Sequence, residues 1–289
     1  MFSVVIVTKN RISYLRRALD SIKENTIQPS EVIIVNDGGE VPNISDKNVI
    51  LINNDQSYGA NYSRNLGANV SKEEIIFFLD DDDAYLKTSF SDRLHLFNDE
   101  EVGLVYTGAR VVKSSNLSRV VRSIYPIHSI DYHLDLLSKG NIIGSTSRVA
   151  VRRKHWLAAG AFDEKLQCRQ DFDLWIRMSK ICDIRHDESL NIYYTVYEDG
   201  GDNITSGIEK FNSATNYIFD KYIEDIALYN KEKEFYSSSY FRIAKLAIKE
   251  SNLERMRYSF RSFVLNPKAK SFLLFFLPNS ICRRIFSFS

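Results

Sequence analysis

The chain predicts a layered α/β/α domain with a mainly parallel central sheet, followed by a helical C-terminal extension. Three observations carry this. Short β-branched and aromatic runs alternate with helical periodicity across roughly the first hundred residues. Polar clusters follow three of those runs, where strands of a parallel sheet share one edge. After Thr205 the composition turns to long helical patterns rich in Tyr, Lys and Glu. The expected division is 1–205 for the α/β domain and 206–289 for the extension.

Ser3–Val7 is apolar and β-branched, as suits a strand buried on both faces, and it ends at Thr8-Lys9-Asn10-Arg11. Leu15, Leu19 and Ile22 then recur at helical spacing, and Pro29 closes that helix. Glu31–Val35 is a second strand, ending at Asn36-Asp37-Gly38-Gly39, and Val49–Ile52 a third. Gly59 to Val70 has a helical pattern that offers Ala60, Ser63, Leu66, Gly67 and Val70 as contacts. Ile75–Leu79 is the fourth strand, with a helix starting near Leu86.

Farther along, Val102–Tyr106, Ala109–Val112, Ser118–Ser123, Val149–Val151 and Leu190–Val196 read as strands. Ser129–Ser138 reads as a short helix, and Asn141–Ser147 as a loop of small polar groups. Arg152–Ala159 is helical and stops at Gly160, a C-cap. Phe172, Trp175, Ile176 and Ser179 share one helix face, which puts Asp171 in the first turn, where the dipole favours an acid. Residues 198–203 read as a flexible polar loop. In the extension, Tyr240–Ala247 followed by Asn252–Phe260 resembles one tetratricopeptide-like hairpin, which cannot bury its own face alone.

The richest chemistry lies at Asp80-Asp81-Asp82-Asp83, directly after the fourth strand. Four carboxylates at a strand end repel one another unless a cation offsets them. Hard oxygen donors suit Mg²⁺ or Mn²⁺, which in turn hold phosphate oxygens. With Thr8-Lys9-Asn10 and Asn36-Asp37 on the same edge, the clusters outline a pocket.

Bulk properties narrow the classes. Net charge is +1, so nothing points to nucleic acid. Three widely spaced cysteines, Cys168, Cys182 and Cys282, argue against a disulfide framework or a zinc site and for a reducing compartment. Met1–Val7 reads as a first strand, not a signal peptide, and no apolar run is long enough to span a bilayer. The expected location is cytoplasmic, with any membrane contact peripheral. Ser271–Pro278, greasy and flanked by Lys268, Lys270, Arg283 and Arg284, reads either as an interfacial membrane anchor or as a buried helix or dimer contact.

Taken together, these segments resemble a family 2 glycosyltransferase of the GT-A fold. Val4–Arg11 resembles its opening strand and turn, Ile33–Gly38 its second strand, and Gly59–Gly67 its Asn/Gly helix start. Asp80-Asp81-Asp82 matches its Asp-x-Asp motif. Gly160–Glu164 and Gln170–Arg177 resemble the stretch leading into its catalytic acidic motif. The resemblance covers roughly residues 2–180. It departs at Gln170, where the family usually has Glu, and the family's late metal-binding His is not found among Tyr193-Tyr194-Thr195-Val196-Tyr197.

The resemblance implies an inverting transfer of a hexose from a nucleotide diphosphate sugar, UDP favoured, to a saccharide hydroxyl. Asp171 is then the candidate base, and Asp82 the direct ligand of Mn²⁺ or Mg²⁺. Asp80 takes ribose hydroxyls or a metal-bound water, with Asp81 beside it. Asp37 accepts from the uracil N–H, Thr8, Asn10 and Arg11 line the nucleotide, and Arg64 reaches it or the sugar. Trp175 is either core or an acceptor platform. Family context points to a lipid-linked oligosaccharide of O-antigen or capsule synthesis as acceptor. A nucleotidyltransferase or dinucleotide oxidoreductase would carry glycines after the first strand, where Thr8-Lys9-Asn10-Arg11 has none. A catalytically inactive nucleotide-sugar-binding scaffold, or a sugar nucleotidyltransferase, is the alternative reading.

Overall fold

A computed structural model describes residues 1–197 and 207–286; the polar loop at 198–203 and the expected boundary at 205 lie outside the described residues. The strands are β1 (Phe2–Thr8), β2 (Glu31–Asn36), β3 (Val49–Asn53), β4 (Ile75–Asp80), β5 (Ala84–Tyr85), β6 (Val102–Tyr106), β7 (Ala109–Lys113), β8 (Asn116–Ile124), β9 (Val149–Arg152), β10 (Asp183–His186) and β11 (Ile192–Val196). The first six helices are α1 (Ile12–Lys23), α2 (Ala60–Val70), α3 (Ser89–Leu94), α4 (Tyr132–Lys139), α5 (Arg153–Ala158) and α6 (Gln170–Met178). They are followed by α7 (Ile208–Lys221), α8 (Ile223–Leu228), α9 (Glu232–Glu250), α10 (Asn252–Leu265), α11 (Ala269–Phe276) and α12 (Asn279–Phe286).

These residues form two compact units. One comprises Met1–His128, Ile143–Lys165 and the described residues from Asp173 to 197; the other comprises Ser129–Ile142, Leu166–Phe172 and 207–286.

The main sheet of the first unit has the order β10-β6-β9-β4-β1-β2-β3. β4, β1, β2 and β3 run parallel, as do β6 and β10. β9 runs antiparallel to both of its neighbours, β4 and β6. The central strands are unbroken apolar runs because both faces are covered: Val4, Ile6, Ile33, Ile34, Ile76 and Phe77 are completely buried. Close packing explains Gly67 in α2. A Cβ there would lie 2.6 Å from Val5 Cγ1 and 3.2 Å from Val35 Cγ2.

A second sheet, β5-β11-β7-β8, completes this unit. Its β5 is only two residues long, and β10 of the main sheet is largely polar, so neither shows in the hydrophobic pattern. The helix expected near Leu86 begins at Ser89.

In the second unit α9 and α10 form the expected hairpin, joined through Ser251, whose side chain caps α10 by accepting from Glu254 N–H at 3.3 Å. Ser237 sits opposite Ser262, and Tyr240 opposite Tyr258.

Candidate functional site

Parallel register builds the site of the first unit. Thr8 pairs with Asn36, and Val7 with Asp80, so the ends of β1, β2 and β4 come level. Thr8 therefore stands next to the residue after Asp80, and its hydroxyl donates to Asp81 Oδ2 at 2.7 Å. Arg11, one turn beyond β1, reaches the same acids: Nη1 lies 3.4 Å from Asp81 Oδ1 and 3.0 Å from Asp82 Oδ2. Arg64, on α2, donates to Asp80 Oδ1 at 2.6 Å. The Arg64 guanidinium is nearly buried, and its Nη1 has no hydrogen-bond partner among the described residues.

The acidic run is thus drawn together with Thr8, Arg11 and Arg64, but it remains short of positive charge. Burial pushes the Asp81 carboxyl up to about 7, helped by the Asp82 charge and opposed by Thr8 and Arg11. Asp82 is raised by burial and by Asp80, against a hydrogen bond from Tyr197 and the charge of Arg11. Asp83, fully buried, is raised well above the ordinary range by burial, Asp82 and Asp80; its Oδ1 accepts from Thr195 N–H at 2.8 Å.

Several partners of this cluster do not stand out in the sequence. Tyr197, just past β11, donates to Asp82 Oδ2 at 2.8 Å and lies under the Arg11 guanidinium. Arg17 of α1 donates to the Asp82 carbonyl at 2.6 Å. Thr146 donates to Asp80 Oδ1 at 3.2 Å, and the Asp80 N–H donates to Ser147 Oγ at 3.0 Å. The sequence signals for these partners are the small polar loop at Asn141–Ser147 and the tyrosine-rich end of β11.

Two expected nucleotide residues serve the chain itself. Asp37 accepts five hydrogen bonds, from Asn54 Nδ2, Ser57 Oγ, Tyr58 N–H, Gly59 N–H and Ser63 Oγ, at 2.6 to 3.1 Å. Burial works to raise this carboxyl, but the donors outweigh it and leave it below the ordinary value. A carboxylate has about four lone-pair sites, so a uracil N–H reaches Asp37 only by displacing one of these donors. Asn10, exposed and left-handed at φ 56°, accepts from Glu40 N–H at 2.9 Å and lies against Gly39.

In the second unit, Asp171 is the second residue of α6, as its spacing suggested. Asn141 Nδ2 donates to Asp171 Oδ2 at 2.9 Å, and Phe172 N–H to Oδ1 at 2.8 Å. Gln170 is buried, with its Oε1 lacking a hydrogen-bond partner among the described residues. Trp175, on the part of α6 that belongs to the first unit, is core: it is completely buried and donates to the Gly144 carbonyl at 2.9 Å, so it offers no acceptor platform.

Among the described residues, no three His, Cys, Asp or Glu side chains converge as a metal cage. Mg²⁺ and Mn²⁺ do not need one when substrate phosphates and water complete the shell. The oxygen-only, under-neutralised acids of Asp80–Asp83 fit such an ion.

Comparison with known proteins fits this picture. The S. aureus TarS structure in complex with UDP-GlcNAc has a TM-score of 0.63 at 16% identity, covering 99% of this chain and 89% of that one. TarS in complex with UDP gives 0.60 at 14% identity, covering 99% and 88%. The layered α/β fold with its helical C-terminal region is the one expected. An uncharacterized glycosyltransferase of Haemophilus influenzae is 22% identical over 282 residues, 95% of this chain and 94% of that protein. The Escherichia coli UDP-Glc:alpha-D-GlcNAc-diphosphoundecaprenol beta-1,3-glucosyltransferase WfaP is 25% identical over 207 residues, 68% of this chain and 78% of WfaP. An uncharacterized glycosyltransferase of Rickettsia felis is 26% identical over 238 residues, but this chain spans only 38% of its length. Residues 3–158, more than half of the 289, match the family described as Glycosyl transferase family 2, and the chain belongs to that family.

Proposed function

We propose that this glycosyltransferase moves a hexose from a UDP-sugar to a saccharide hydroxyl with inversion at the anomeric carbon. The observation that carries this reading is the meeting of Thr8, Arg11, Arg64 and Asp80–Asp83 at the ends of β1 and β4, with three carboxyls raised by burial and mutual charge.

Asp82 is the protein ligand of a divalent ion, with Asp80 and Asp81 beside it. Bound Mg²⁺ or Mn²⁺ supplies Lewis-acid neutralisation of the leaving diphosphate. Arg64, whose buried Nη1 is unpartnered among the described residues, suits a phosphate or sugar oxygen. Thr8 and Arg11 orient Asp81 and Asp82 and line the nucleotide. Asn10 and Asp37 shape the loops that border it.

The acceptor hydroxyl has a pKa far above neutral, so a base must take its proton during attack. Asp171 is that base, and Asn141 fixes one of its oxygens. The acceptor is a lipid-diphosphate-linked saccharide of surface-polysaccharide synthesis, O-antigen or capsule. WfaP, named for transfer to GlcNAc-diphosphoundecaprenol, supports this choice.

Two measurements test the reading. Asp82→Ala is expected to abolish Mn²⁺-dependent UDP binding in calorimetry; unchanged affinity rejects the metal assignment. Asp171→Asn is expected to lower kcat by about 10²- to 10⁴-fold with donor affinity intact. A variant with normal turnover removes Asp171 from the base role. The buried, neutral Gln170 favours the inactive scaffold as second reading. UDP release from UDP-sugars by the wild-type protein excludes it.

A further inference from the structure

The helices at the end of the second unit are packed inside out. α10 turns Arg255, Tyr258, Ser259 and Ser262 inward and leaves Phe260 and Val264 more than half exposed. α11 buries Ser271 with Leu274, while Phe272 and Leu273 stand 45% and 42% exposed and Phe276 64%. Ordinary surface helices do the opposite.

The inward serines and Arg255 are hydrogen-bonded. Ser237 Oγ donates to the Ser262 carbonyl and Ser262 Oγ to the Ser237 carbonyl, both at 2.8 Å, and Ser262 and Ser271 hydroxyls lie 2.9 Å apart. Arg255 bonds Asn252 Oδ1 and the Leu274 carbonyl. The helices are therefore held by small polar residues at close approach. The outward rings form a connected sheet of their own, with Phe260–Phe275 centroids at 5.6 Å and Phe272–Phe276 at 4.5 Å.

Charge along this stretch is predominantly positive; α10 carries one acid, Glu254, which pairs with Arg257 at 3.4 Å. From Arg255 to Ser289 the sequence holds seven Lys or Arg and no Asp or Glu. Of these, all but Arg255 are exposed. No helix among the described residues is long and apolar enough to cross a membrane.

We propose that the outer face of α10 and α11, centred on Phe260, Val264, Phe272, Leu273 and Phe276, seats the protein on an anionic lipid surface. The rings enter the headgroup boundary, and Lys268, Lys270, Arg283 and Arg284 meet lipid phosphates. A second copy of this chain is a poorer occupant. A two-fold contact sets each patch against itself and brings cation against cation. The role of this face rests on packing and charge and does not depend on the donor or acceptor assigned above.

The test is sedimentation of the full chain with phosphatidylcholine vesicles, with and without phosphatidylglycerol. Binding is expected only with phosphatidylglycerol, weakened by salt. Phe272→Ser with Phe276→Ser, and separately Lys268→Glu with Lys270→Glu, are each expected to lower vesicle partitioning on the order of tenfold or more. UDP affinity in the same variants stays at the wild-type value. Should the phenylalanine pair fail to fold by circular dichroism, the lysine pair decides. Equal sedimentation with both vesicle types, or variants that partition like wild type, overturns the proposal. So does a lipid-free dimer in light scattering that the phenylalanine changes dissolve, without vesicle binding.

Discussion

Asp81 carries a proton up to about pH 7 in the folded chain, against an ordinary value of 3.8. The unfolded chain releases that proton first. Stability from this group is therefore complete below about pH 4 and lost as pH rises through 7. In metal-free protein, thermal unfolding is expected to occur at lower temperature at pH 8 than at pH 5. Asp81→Asn should flatten that slope, and an unchanged slope would assign it elsewhere. Asp37 behaves in the opposite sense, as an anion held by five donors. Asp37→Ala leaves buried donors unpaired, and urea unfolding is expected to report a loss of about 3 kcal/mol or more. The positions of Asp37 and Asp80–Asp83 were legible because each follows a readable strand. Their partners were not. Ser57 and Tyr58 come from a loop some twenty residues on, Ser63 from α2 just beyond it, and Tyr197 from more than a hundred residues away. Periodicity carries no trace of such pairings.

At the level of elements, α2 is seated on β1 and β2 through Gly67, which has no room for a methyl group. Gly67→Ala is expected to destabilise by about 1–3 kcal/mol in urea unfolding. Because α2 also carries Arg64, weaker UDP binding should accompany the loss. In the second unit, Ser262 is enclosed between Ser237 and Ser271. Ser262→Leu suits helical propensity yet overfills that contact, and a lower melting temperature by circular dichroism is the expected result. The strands β1 to β4 and the α9–α10 hairpin were readable because their apolar residues recur with the period of the element. The inward faces of α10 and α11 were not, since a serine that packs and a serine that is solvated look alike in sequence.

For the molecule as a whole, the α/β class followed from strand–helix alternation, and the helical region from composition. The second unit also takes in 129–142 and 166–172, segments that composition does not set apart. If donor and ion bind only the folded chain, UDP at a hundred times its Kd with Mn²⁺ should add about 2.7 kcal/mol of stability. A thermal shift that persists undiminished with a chelator would separate nucleotide binding from the ion. The antiparallel β9 has a further consequence for biosynthesis. β4 emerges from the ribosome as Ile-Ile-Phe-Phe-Leu-Asp, and the strand that covers one of its edges, Val149–Arg152, follows some seventy residues later. Until then a greasy ribbon stands open to neighbouring nascent chains. Fragments ending before Val149 should precipitate where longer ones stay dispersed.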